Sequence, residues 1–353
     1  MSRLHFSPAI FSALGAAVLF GGSTPFAKQL VGSLPPLLLA GLLYLGSGIG
    51  LVLARFIRDR GWRHPGLLKK EWPWLFGAIG FGGVIGPTLL MFGLIKTSAA
   101  AASLLLNLEA VLTALLAWFV FKESTDRRIM LGMLVIVAGG AVLSWPEGGT
   151  TSQNWLGSLF IAGACLCWAI DNNLTRKVST ADSLFIASSK GLVAGTINTS
   201  LAFSLGVTLP TWPHVSLALL VGFLGYGISL VLFVLALRGL GTARTGAYFS
   251  TAPFIGAAIA ILFFHETPSI LFWIAAVLMG LGVYLHLTER HDHVHTHEAL
   301  YHNHHHVHDE HHQHKHDFAW DGKEPHQHPH EHEPLTHAHP HYPDIHHAHK
   351  HPR

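Results

Sequence analysis

The chain has 353 residues, half of them hydrophobic and 12% charged, a balance too apolar for an ordinary soluble globule. Its net charge of +2 hides two opposed regimes: residues 1–290 carry 18 Lys/Arg against 10 Asp/Glu, and residues 291–353 carry 4 against 10, with 24 of the 29 histidines. The overall balance gives no case for nucleic-acid binding, and the two cysteines, Cys165 and Cys167, imply no disulfide framework.

A bilayer core takes about 20 apolar residues per helix. Ten such runs are predicted, at 10–30, 36–56, 72–94, 99–121, 128–145, 156–175, 183–206, 214–237, 243–264 and 270–288. Short connections rich in turn residues separate them: Leu34-Pro35-Pro36, residues 145–149 (WPEGG) and residues 209–213 (LPTWP). The first run is kept as a span rather than a signal peptide, because its end, residues 20–28 (FGGSTPFAK), sits over the end of the sixth, residues 168–176 (WAIDNNLTR).

Orientation follows from Lys and Arg in the short loops. With the N-terminus inside, the inner side holds Arg3, Arg55, Arg58, Arg60, Arg63, Lys69, Lys70, Lys122, Arg127, Arg128, Arg176, Lys177, Arg238 and Arg244, while the outer side holds Lys28 and Lys96. Both termini are then cytoplasmic. Residues 92–123 also align without a gap on residues 235–266, an offset of 143. The identical pairs are Leu94/Leu237, Ala100/Ala243, Ala114/Ala257, Ala117/Ala260, Phe121/Phe264 and Glu123/Glu266. The basic flanks lie at opposite ends of the two copies, and five spans per half is an odd number, so the second half is expected to be inverted. Inverted repeats support alternating access about a central site. The expected fold is therefore an all-α polytopic membrane protein: ten transmembrane helices as two inverted five-helix repeats, 9–145 and 155–288, with a disordered tail at 291–353.

Three blocks resemble permeases of the drug/metabolite transporter superfamily, EamA type. They are residues 98–109 (SAAAASLLLNLE) with the FKE step ending at Glu123, residues 236–243 (ALRGLGTA) continuing to Ala252-Pro253 and the FHE step ending at Glu266, and residues 21–25 (GGSTP). The resemblance covers about residues 9–288 and implies ten helices in two repeats that move small organic solutes. Two positions depart from the family pattern: Glu109 is followed by Ala110 rather than Pro, and residues 38–44 (LLAGLLY) hold no Arg.

Ionisable groups inside a span are costly against lipid and usually face the bundle interior. Glu109, in the middle of the fourth run, is the candidate proton-titratable or cation-coordinating group, with Asn107 nearby; the alternative is a structural carboxylate. Lys190, in the seventh run, can attract an anionic solute, pair with Glu109, or snorkel to the interface. The inverted copy offers Tyr248, Ser250, Thr251 and Pro253 in place of the carboxylate, and Pro253 can kink its helix or line a cavity. Asp171 and Asn172 form a polar cluster that either lines an inner vestibule or marks a helix end meeting water.

Residues 291–353 lack the apolar content for a packed core. Their histidines suit zinc, nickel, cobalt or copper: His291, His293, His295, His297, His304, His305, His306, His308, His311, His312, His314, His316, His326, His328, His330 and His332. No cofactor is required. Expected partners are the bilayer, a small-molecule solute and transition-metal ions, not nucleic acid, and a homodimer is open to the chain. The function expected is a secondary carrier, a metabolite exporter with a metal-binding cytoplasmic tail. The alternatives are a divalent-metal (Ni/Co/Zn) transporter and a non-transporting metal-binding or sensory membrane protein. No catalytic constellation points to an enzyme.

Overall fold

The computed structural model describes residues 8–62, 65–121, 127–145, 154–178, 181–233, 235–236, 245, 248–287, 292–297, 300–306, 326–332 and 335–340. The chain divides into two units, Met1–Thr288 and Glu289–Arg353.

The first unit is helical. It opens with α1 (Pro8–Val31) and α2 (Pro36–Asp59). Pro36 stands in the first turn of α2, where its missing N–H has no partner to lose. The third predicted run is one long helix in three parts: α3 (Trp72–Ala78), a π-helical stretch Ile79–Ile85, and α4 (Gly86–Lys96). The fourth is broken: α5 (Ala99–Leu105) stops, a turn follows at residues 106–107, and α6 (Leu108–Phe121) begins. Then come α7 (Arg127–Leu143), α8 (Asn154–Arg176), α9 (Ser183–Ser204) and α10 (Trp212–Gly222), which runs into a second π-helical stretch, Phe223–Ile228. A turn at residues 250–251 precedes α11 (Ala252–Phe263), and α12 (Ile270–Leu287) closes the unit.

Six described helical runs are long and apolar enough to cross a membrane: Pro8–Val31, Pro36–Asp59, Lys69–Lys96, Ala99–Leu116, Trp155–Thr175 and Trp212–Phe233. Arg128–Leu143, Ala252–Phe263 and Ile270–Leu285 are apolar but shorter. The seventh predicted run, α9, has the length but carries Lys190 and the buried Asn198 within it. The evenly apolar ten-span expectation is thus met in part. The interruptions and polar residues that lower some spans are the features that build the site below.

The irregularities recur at the spacing seen in the sequence. Moved by 143 residues, the first π stretch falls on 222–228, and the turn at Asn107 falls on Ser250. Contacts between helices recur too. A Cβ on Gly48 or on Gly191, which are 143 apart, would press into the other's backbone region, so α2 and α9 cross where both lack side chains. In the α7–α12 pair, a Cβ on Gly139 would meet the Ala275 carbonyl and Met279, while one on Gly282 would meet the Gly132 carbonyl and Ile136. The second set is the first displaced by 143 with its roles exchanged, the reciprocity of an isologous contact.

In the second unit the backbone of β1 (Asp292–His297) pairs antiparallel with β4 (Leu335–Pro340), and β2 (Leu300–His306) with β3 (His326–His332). These pairs fall within the residues expected as a disordered tail. A His-x-His alternation has the two-residue period of a strand, and a ladder satisfies backbone groups without a packed core.

Candidate transport site

The break between α5 and α6 places Glu109 in the first turn of a new helix, at the end of the helix dipole that favours negative charge, with its own N–H donating to Leu106 O at 3.0 Å. Glu109 Oε1 accepts a hydrogen bond of 2.9 Å from Asn172 Nδ2 on α8, and the same amide lies 3.5 Å from Thr113 Oγ1. One residue before Asn172, the buried Asp171 takes Lys190 Nζ of α9 at 2.6 Å on both carboxylate oxygens and accepts Thr175 Oγ1 at 2.8 Å. Of the alternatives open to Lys190, the structure shows an ion pair, but with Asp171 in place of Glu109. Gly82 lies against the Asp171 side chain and has no side chain of its own, leaving room for the carboxylate that Lys190 reaches.

The first π stretch turns its carbonyls to neighbouring helices. Gly82 O accepts from Tyr44 Oη at 2.7 Å and from Trp168 Nε1 at 3.0 Å, and Asn198 Nδ2 lies 3.4 Å from the carbonyls of both Gly83 and Val84. A π turn disturbs the regular ladder of an α-helix and is frequent at functional sites. Aromatic rings extend from this point: Tyr44 to Tyr226 at 5.5 Å between centroids, Tyr226 to Phe20 at 6.0 Å, and Phe20 to Phe249 at 5.3 Å.

Other predicted site residues are placed differently. Asn107 is buried in the turn before Glu109, but its Nδ2 donates to Leu104 O at 2.9 Å and faces Met279 Sδ at 3.9 Å. Ser250 and Thr251 form the second break, and Thr251 Oγ1 turns back to donate to O of the helical Tyr248 at 2.6 Å. Pro253 does not kink a helix interior. The chain is already broken before it, and Pro253 occupies the first turn of α11. Cys165 and Cys167 are free and buried. Of the tail ligands, His291, His308, His311, His312, His314 and His316 lie outside the described residues. His293, His295 and His297 fall on β1, His304–His306 on β2, and His326, His328, His330 and His332 on β3.

At the start of α9, Asp182 caps the helix by accepting from the N–H groups of Leu184 and Phe185 at 2.9 and 3.2 Å. It also pairs with Arg58, and with Arg55 at 3.4 Å. Burial pushes the Asp182 carboxyl up, but Arg58, the Phe185 N–H and Arg55 together hold it below the ordinary carboxylate value.

The EamA-like transporter family model matches residues 7–145 and again residues 155–288. The chain belongs to the EamA-like transporter family. Its relatives are named as transporters: an uncharacterized transporter of Methanothermobacter thermautotrophicus is 28% identical over 78% of this chain and 84% of its own length. The uncharacterized inner membrane transporter YedA of Escherichia coli K12 is 27% identical over 78% of this chain and 92% of its own. A shorter relative, the probable 4-amino-4-deoxy-L-arabinose-phosphoundecaprenol flippase subunit ArnE of Pseudomonas paraeruginosa, is 37% identical over 31% of this chain and 91% of its own. A solved crystal structure, 20% identical, superposes with a TM-score of 0.59 over 79% of this chain and 95% of that one, which shows a shared fold. As an EamA-family protein, the chain is a multi-pass membrane transporter.

Sequence reasoning had not singled out Tyr44, Trp168, Tyr226 or Glu266 as working groups. Two signals were available: the Gly82-Gly83 pair inside an apolar run, since adjacent glycines in a helix mark close approach of a neighbour, and the recurrence of Glu123 as Glu266 at the offset of 143.

Proposed function

We propose that this EamA-family protein is a secondary carrier that moves a small solute by alternating access, its two halves acting as inverted five-helix repeats about a site at Glu109. The observation that carries the reading is the chemistry of that carboxylate. Glu109 begins a half-helix inside a span and accepts from the neutral amide of Asn172, while the nearby Lys190 is engaged by Asp171. A carboxylate in a membrane interior without a cation of its own is costly as an anion, so it favours a proton or a positively charged guest. Proton coupling and export follow as the expected drive and direction, in a plasma membrane with both termini cytoplasmic. The recurrence of π stretch, helix break and glycine crossings at an offset of 143 supports inversion.

The histidine-rich segment adds a cytoplasmic site for zinc, nickel, cobalt or copper, with several four-ligand sets available along the chain. Its weight in the sequence also favours a second reading, a divalent-metal carrier supplied by this segment. Removing residues 291–353 separates the two. Loss of nickel or zinc tolerance supports the metal carrier, and retained efflux of an organic solute supports the first reading.

The test of the first reading is flux. Proteoliposomes loaded with a pH dye and offered a panel of amino acids, sugars and organic amines are expected to show solute-dependent proton movement that Glu109→Gln abolishes. If Glu109→Gln transports normally over the whole pH range, the coupling role is wrong.

A further inference from the structure

Glu266 follows α11, and its N–H folds back to Ala260 O at 3.2 Å across His265, a residue with φ of 53°. Its two carboxylate oxygens accept the N–H groups of Ala99 and Ala100, each at 2.8 Å. Those are the first two residues of α5, the half-helix whose far end breaks and restarts at Glu109. α5 already has a local cap, because Ser98 Oγ accepts from Ala101 N at 3.1 Å. The Glu266 bonds therefore join α5 to an element 166 residues away in addition to that cap.

The surroundings add further contacts between α1, α5 and α11. Phe26 of α1 and Phe264 meet edge to face at 5.3 Å. Lys28 donates to Leu94 O and is within electrostatic range of Glu266. Below them α1, α5 and α11 touch without room for side chains: a Cβ on Gly21 would meet Ala252 O, and one on Gly256 would meet Gly21 O and Ser103. The Ser103 hydroxyl is buried in this contact without a hydrogen-bond partner. We infer that Glu266 is a positioning residue of the transport cycle, a latch that holds α11 on α5 and closes this end of the path to Glu109. The latch rests on the alternating-access reading. It must release when this end opens, and the packed faces of Gly21, Gly256 and Ser103 then part.

Ser103 reports the motion. In the full chain carrying Ser103→Cys, in right-side-out and inverted vesicles, a membrane-impermeant maleimide is expected to label slowly from both sides. Adding Glu266→Gln is expected to raise labelling about ten-fold from the side where α5 begins and to leave the other side unchanged. Glu266→Asp, which keeps the acceptor charge, should restore slow labelling, and the Glu266→Gln variant should keep a melting temperature close to its parent. Unchanged labelling, or labelling raised from both sides together with a lowered melting temperature, overturns the latch and leaves Glu266 a helix cap. Such a result with Glu109→Gln still abolishing flux sinks the latch alone, whereas loss of the Glu109 effect sinks the carrier reading itself.

Discussion

Two crossings in this protein are alike in backbone and unlike in charge. In one, Gly82 of the first π stretch lies against Asp171 of α8; in the other, Gly225 of the second π stretch lies against Ser23 of α1. Gly82 and Gly225 are 143 residues apart, and Ser23 sits over Asp171 when the ends of the first and sixth runs are aligned. The first crossing carries an ion pair with Lys190, and Glu109 is bonded to the residue next to Asp171. In the second, Ser23 Oγ donates to Phe20 O of its own helix at 2.6 Å, and its other partner is the uncharged Tyr226 hydroxyl. One backbone arrangement serves both crossings, and the charge of the site is concentrated in one of them.

The largest expected effect comes from breaking the charged crossing. Asp171→Ala leaves Lys190 without its anion and is expected to cost about 3–5 kcal/mol, read as a fall in melting temperature in detergent. The double variant Asp171→Leu/Lys190→Leu should recover most of that loss. Ser23→Ala is expected to cost under about 1 kcal/mol, and an equal loss at both crossings would erase the distinction between them.

Next in size is Gly82→Ala, whose methyl group would displace the Asp171 carboxylate. A cost of about 1–3 kcal/mol is expected, with Gly225→Ala at the lower end because it meets a small neutral side chain. Asn172→Ala removes the amide donor of Glu109 and should cut solute flux while shifting stability by about 1 kcal/mol or less. A large stability loss without a flux defect would assign Asn172 to packing.

The smallest effect lies at the end of the bundle. Asp182 has its native value depressed, so its stabilisation is present above the unfolded carboxylate value, near pH 4, and is lost as pH falls through the lower native one. Asp182→Asn should therefore lower the melting temperature at pH 7 by a small margin that narrows on acidification. A gap that widens on acidification would contradict the sign.

Much of this was legible in the chain. Apolar runs marked the helices, and the offset of 143, read from residues 92–123 and 235–266, also holds for the π stretches and glycine crossings outside that block. Glu109, as a charged residue in the middle of an apolar run, stood out on cost alone. The helix breaks were not legible: the fourth and ninth runs read as continuous, because the residues at 106–107 and 250–251 are ordinary in composition. Pro253 drew attention as a kink, yet it fits a helix start as well as an interior, and only the preceding turn decides which.

The sequence by itself determined a multi-pass membrane protein with a carboxylate, Glu109, inside an apolar run, and its motif blocks carried the family resemblance. The first two follow from composition and periodicity, which act locally along the chain. Only the tertiary structure decided that Lys190 belongs to Asp171, that Asn172 serves Glu109, and that Glu266 reaches across to α5. Each of those pairings joins residues 19 to 167 positions apart, and which partner a charge finds depends on how closely glycine-lined helices approach, a property no local pattern encodes.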